Sequence, residues 1–217
     1  MAEDFTLYGS PHSQFTYKVA LMLALCGQAF AFRYVSFQKG MHRTPEFLAM
    51  SRWGQVPVLR DRERVLCQSG AILEHLAESL GRFGGGDRDS REAAREWLYW
   101  NADRLAPPIY GCYGVRLGEL KLLPIAYDPA IVRKYREDAE TALAVLDSRL
   151  KDSDFLVGAG PTIADICCYG EIPFAVLSGL DAARWPALAA WASRLAALPR
   201  FKGPFDLLPM ADAQIAP

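Results

Sequence analysis

Ser51–Leu80 reads "SRWGQVPVLRDRERVLCQSGAILEHLAESL". Its apolar strand pattern runs through a proline at "QVPVL", and a polar "QSG" opens the helix that follows. Proline has no N–H and its φ is fixed, so it stays out of sheet interiors except at edges, strand starts and bulges. Two accounts fit Pro57. In one it sits trans on an edge strand. In the other the Val56–Pro57 bond is cis in a tight turn, and the Val56 backbone turns outward to pair with an extended ligand, as an added strand would. Ser69 also has two accounts. It caps its own helix, or it holds a carboxylate against the unpaired N–H groups and positive dipole end there.

Upstream, "FTLYG" (5–9) reads as a short strand and "SPHSQF" as a loop into a helix near Phe15–Gly27. "AFRYVSF" is a second strand, rich in aromatic and β-branched residues. "TPEFLAMS" has the Thr-Pro entry of a short helix. "VPVLRD" and "RVLCQS" are strands joined by a charged turn, and a helix runs from Ser69 to about Leu80. The order βαβ, short helix, ββα predicts a mixed sheet with helices packed on it.

The polar, glycine-rich "GRFGGGDRDS" marks a boundary. Beyond it every pattern is helical. The expected organisation is an α/β domain over 1–80, a linker over 81–89 and an all-α domain over 90–217. "REAAREWLYWNADRLAPPIYG" sets Trp97, Asn101 and Arg104 on one helical face, with "PPIYGCYG" expected to interrupt the helix. "DPAIVRKYREDAETALAVLDSRLKD" is a long amphipathic helix, and Thr162 with Asp165 resembles a capping box.

The chain has 217 residues, 51% of them hydrophobic and 23% charged, with a net charge of −1. Its pI is near 6.3. That balance argues against nucleic acid or an anionic membrane as partner, since both need a positive surface. The apolar run "VALMLALC" falls far short of the roughly 20 residues of a membrane span. "MAEDF" lacks a basic-then-apolar leader pattern, so a cytoplasmic protein is expected. Five cysteines without CxxC spacing and three scattered histidines predict neither a disulfide framework nor a metal site.

Four pieces, in this order and spacing, resemble the cytosolic glutathione transferases over nearly the whole chain. They are "GMHRTPEFL", "QVPVL", "QSGAI" and "PTIADI". The resemblance implies a thioredoxin-like domain that binds glutathione as co-substrate. Val56 with a cis Pro57 would pair with its cysteinyl backbone. Gln68 and Ser69 would hold the γ-glutamyl group, and Gln55 and His42 would lie toward the glycyl carboxylate. Read from the residues alone, His42 is an ordinary exposed histidine and Gln55 a solvent-facing strand residue.

The reaction needs a thiolate, stabilised by a donor hydroxyl near the end of the first strand. Tyr8, Ser10, Ser13 and Thr16 compete. Ser13 stands where serine-type members carry their catalytic serine, and Tyr8 where tyrosine-type members carry theirs. Ser10 or a backbone N–H remains an alternative, and the loop lacks the cysteine of reducing members. The second-substrate pocket implied by the resemblance draws on Pro11, Trp100, Arg104, Tyr110, Tyr113 and Arg116. Core packing is the competing account of Trp97 and Trp100. The expected activity is conjugation of glutathione to small, mostly apolar electrophiles by a homodimer. Glutathione-dependent peroxide or disulfide reduction, isomerisation, and a non-enzymatic binding protein are the alternatives.

Overall fold

The computed structural model describes residues 4–124 and 126–216. The chain divides into two compact units: residues 1–82 together with 198–217, and residues 83–197.

The first unit is built on a five-stranded sheet of order β4-β3-β1-β2-β5. Its strands are β1 (Phe5–Gly9), β2 (Phe30–Tyr34), β3 (Val58–Asp61), β4 (Arg64–Cys67) and β5 (Ala213–Ile215). β1 and β2 are parallel and the other neighbours antiparallel. Helix α1 (Gln14–Leu25) crosses between the parallel pair, and eleven of its twelve residues are buried. The polar Gln14, Thr16 and Lys18 are buried along with its apolar residues, so the helix is covered on every side. Helix α3 (Ser69–Leu80) packs beside it through Ile72, Leu73 and Leu76. Each such side chain contributes roughly 1.5–3 kcal/mol by leaving water. On the other face Val35, Phe47, Val56 and Val58 form a smaller cluster. Phe47 belongs to the short helix α2 (Pro45–Met50), which Thr44 caps by accepting the Phe47 N–H.

The chain's end departs from the expected all-α domain over 90–217. Residues 198–217 return to the first unit, where helix α10 (Pro204–Leu207) packs on α1 and β5 pairs with β2. The Tyr17 hydroxyl donates to the Lys202 carbonyl at 2.9 Å. A three-residue strand carries no usable period. It is defined by the open edge of β2, which only tertiary structure supplies.

The second unit is helical: α4 (Arg88–Trp100), α5 (Ala106–Glu119), α6 (Pro129–Leu150), α7 (Ile163–Tyr169), α8 (Ile172–Leu177) and α9 (Pro186–Ala196). α4 starts with Asp87 as its cap, two residues before the expected domain start. "PPIYGCYG" does not interrupt the helix. The irregularity lies just before it, where Asn101–Leu105 form a π turn and the Ala106 N–H donates to the Asn101 carbonyl. The prolines lack N–H groups and their rings crowd the carbonyls four residues back. Widening the preceding turn lets Pro107 and Pro108 stand in the first turn of α5. The π turn also breaks the spacing that set Asn101 and Arg104 on one face, so Asn101 is buried and Arg104 exposed.

Thr162 and Asp165 form a capping box at the start of α7. Asp165 accepts from the N–H groups of Leu156 and Thr162, the Thr162 hydroxyl and the Trp191 indole, at 2.8–3.1 Å. Burial pushes its carboxyl up, and these four donors pull back against it.

Candidate functional site

Strand register brings the singled-out residues to one end of the sheet. β1 and β3 pair with Tyr8 opposite Val58. Ser10 lies two residues after Tyr8 in the chain, and Val56 two residues before Val58. β3 and β4 pair with Val58 opposite Cys67, the residue before Gln68 and Ser69. This is the carboxyl end of the parallel pair, where open α/β sheets take their ligands.

The Val56–Pro57 peptide bond is cis. β3 begins only at Val58. Among the described residues no backbone partner takes the Val56 N–H or C=O, so this stretch presents both groups as an unfilled strand edge.

The segment before it is fastened by a residue that sequence reading passed over. Ser51 is fully buried. Its hydroxyl donates to the Gln55 carbonyl at 2.9 Å and accepts the Gln55 N–H at 3.2 Å. Gly54 closes the turn with φ +62, and a Cβ there would stand 3.0 Å from the His42 carbonyl. Close approach and a left-handed backbone both call for glycine. The signal was weak, because "SRWGQ" shows a turn but not which hydroxyl fastens it.

Gln55 and Gln68 meet: the Gln68 amide donates to the Gln55 side-chain oxygen at 3.0 Å. Gln68 itself has φ +70, unusual for a residue with a Cβ. Ser69 follows as the first residue of α3, whose first turn carries no acidic side chain. Its N-cap is Gln68, which makes no side-chain capping bond, so Ser69 is not the cap that one account made it. The positive end of the helix thus points from α3 without a built-in counter-charge.

His42 lies in a short 3-10 turn, Met41–Arg43. Its ring packs edge-on against Phe37, and the Arg43 guanidinium donates to its Nε2 at 3.1 Å. Burial and then the Arg43 charge hold its pKa below the usual histidine value.

At the end of β1, the loop into α1 is tied by serine and threonine oxygens. The Ser13 Oγ accepts the Thr16 N–H at 3.2 Å and caps α1. Ser10 Oγ accepts the His12 N–H at 3.3 Å, and the Ser10 N–H donates to Thr16 Oγ1 at 3.4 Å. A Cβ on Gly9 would collide with the Thr16 side chain, so the strand end and helix start are pressed together. Thr16 has no exposed surface and is committed to this packing. Tyr8 packs against the Val35–Phe47–Val56–Val58 cluster.

Of the six residues expected around a second substrate, Pro11 belongs to the first unit and the other five to the second. Pro11 is buried in the loop of the first unit. In the second unit Trp100 packs edge-on against Trp97, with ring centroids 5.2 Å apart. Arg104 pairs with Asp103 at 2.8 Å, well exposed. Tyr110 is exposed. Tyr113 is a core residue against Phe174, and burial pushes its hydroxyl up to about 12. Arg116 pairs with Glu119 at 3.1 Å on the wall of a cavity formed by α5, α6 and the end of α8.

The glutathione S-transferase N-terminal domain model matches residues 3–78, and the C-terminal domain model matches residues 129–194. Glutathione S-transferase 3 of Zea mays is 30% identical over 94% of each chain. The disulfide-bond oxidoreductase YfcG of Escherichia coli is 28% identical over 84% of this chain and 86% of its own. The glutathione transferase URE2P6 of Phanerochaete chrysosporium, solved with oxidised glutathione, superposes with a TM-score of 0.82 at 26% identity, covering 92% of this chain and 93% of that one. The chain belongs to the glutathione S-transferase family. Among the described residues no helix is long and apolar enough to cross a membrane.

Proposed function

We propose that this protein binds glutathione at the carboxyl end of its sheet, ionises the thiol with Ser13, and conjugates it to small, mostly apolar electrophiles. The observation that carries the reading is the division of labour at one oxygen. Ser13 Oγ spends a lone pair on the Thr16 N–H, which leaves its O–H proton for a sulfur. The N-terminus of α1, with no acidic residue in its first turn, favours the same anion. Val56 offers its backbone to the cysteinyl part, Gln68 and Ser69 meet the γ-glutamyl carboxylate, and Gln55 and His42 face the glycyl end.

A hydrogen bond to a charged partner contributes roughly 1.5–3 kcal/mol, or about one to two pKa units on the bound thiol. Ser13→Ala should raise the pKa of bound glutathione by that amount and slow conjugation, with its affinity little changed. Tyr8→Phe should do much less. Thiolate absorbance against pH decides it: an unchanged curve for Ser13→Ala with a raised one for Tyr8→Phe transfers the role to Tyr8.

A second reading draws on the name of the Escherichia coli relative. The same thiolate attacking a disulfide releases one thiolate and forms a mixed disulfide. A second glutathione then resolves that to oxidised glutathione. The chain has no cysteine before Cys26, so glutathione itself would supply both electrons. Turnover of a model disulfide against an aryl halide separates the readings.

The working assembly is proposed to be a homodimer, in line with the two-fold pairs common among soluble enzymes. Light scattering at micromolar concentration should give about 48 kDa, twice the chain's 24.1 kDa. A value near the single chain rejects it.

A further inference from the structure

The turn that ends on Ser13 is tied at its tip to the C-terminal segment. Residues 10–13 read "SPHS". The Ser13 N–H closes them into a tight turn by donating to the Ser10 carbonyl at 3.0 Å. Serine first and proline second suit such a turn. The side-chain bonds around Ser10 are both long. Its Oγ accepts the His12 N–H at 3.3 Å, and its N–H donates to Thr16 Oγ1 at 3.4 Å. Such bonds hold the tip of the turn loosely. The His12 ring leaves the tip and packs edge-on against Phe205, with centroids 5.4 Å apart, an arrangement in which aromatic rings attract. Burial lowers the His12 pKa, which favours the uncharged ring in that contact.

Phe205 belongs to α10, and that helix is fastened by other residues. Pro204 and Leu207 are buried, and just before the helix the Lys202 carbonyl accepts the Tyr17 hydroxyl of α1. Phe205 itself keeps 47% of its surface exposed. A ring so exposed adds little to the core, and what it touches is the tip of the serine turn.

We infer, building on the proposed ionisation of glutathione by Ser13, that Phe205 is a positioning residue: by holding the His12 ring it keeps the 10–13 turn in the form that aims the Ser13 hydroxyl at the bound thiol. Ser13 is both the last residue of this turn and the cap of α1. The direction of its hydroxyl therefore depends on the turn as well as on the helix. The C-terminal segment thus takes part in activating the thiol without touching it.

Thiolate absorbance of bound glutathione against pH tests this. Phe205→Ala should raise the thiol pKa by roughly half a unit to one unit, the limit set by one aromatic pair. His12→Ala should do the same, and the double variant no more than either. Phe205→Tyr, which keeps the ring, should give the parent curve, whereas Phe205→Leu, which keeps only apolar bulk, should not. On a Ser13→Ala background Phe205→Ala should add nothing. Thermal melting and glutathione affinity, both expected near the parent's, show that each variant is folded. The proposal is overturned if folded Phe205→Ala leaves the curve in place, if Phe205→Leu matches the parent, or if Phe205→Ala shifts the Ser13→Ala curve as far as the parent's. A Ser13→Ala curve that coincides with the parent's overturns the Ser13 reading itself and this proposal with it. A shifted Ser13→Ala curve beside an unmoved Phe205→Ala curve overturns this proposal alone.

Discussion

Ser13 and Ser51 are both buried serines. Ser13 caps α1 with a lone pair and, in the proposed function, gives its proton to sulfur. Capping and activation are thus not rivals at this position. Ser51 accepts from and donates to the same residue, Gln55, and so sets the approach to Val56. Removing it takes both bonds from the part-buried Gln55 N–H and C=O, at about 1–3 kcal/mol for the two. Ser51→Ala should lower stability by that amount in chemical unfolding and weaken glutathione binding in the folded fraction. Unchanged affinity would show that Gln55 and Val56 keep their places unaided. Pro57, Gln68 and Ser69 were legible in the sequence because each breaks a local pattern. Ser51 was not, because its partner is set by how the chain turns back on itself.

Among the elements, α7 shows how much one cap can carry. The spacing of Thr162 and Asp165 announces a helix start, and the structure bears that out. The spacing does not announce that the same carboxylate also fastens Leu156 and Trp191. A lone cap is worth about 1 kcal/mol. Leaving the buried donors of Leu156, Thr162 and Trp191 without an acceptor costs more, roughly 1–3 kcal/mol for each. Asp165→Ala should therefore fall in the upper range by urea unfolding, with glutathione affinity of the folded fraction little changed. A loss near 1 kcal/mol would mean that Leu156 and Trp191 find other acceptors. The π turn at 101–105 follows the same logic. Pro107 and Pro108 were visible as a disturbance, but the adjustment falls on the residues before them, because the carbonyls they crowd lie four positions back.

At the scale of the whole molecule, the first unit is not complete at residue 82. Leu207 and Leu208 are buried, β5 covers the edge of β2, and Lys202 receives the Tyr17 hydroxyl. Burying two leucines is worth roughly 3–6 kcal/mol. A chain ending at Ala197 should lose at least that much stability in the first unit. The expected readout is early loss of amide-exchange protection in α1 and β2, with α6 and α9 protected as before. Equal protection throughout would show that residues 198–217 are dispensable.

The sequence by itself determined the βαβ, short helix, ββα order of the first 80 residues, the change from mixed α/β to helical patterns at the glycine-rich stretch that follows, and the cap of α7. All of these are local, since periodicity, capping and turn chemistry act within a few residues. Only the tertiary structure decided that Gln68 meets Gln55, that Ser51 fastens Gln55, and that residues 198–217 return to the first unit. Those facts depend on strand register and on which buried surface is left open for another segment to cover. Both arise from pairings between residues far apart in the chain.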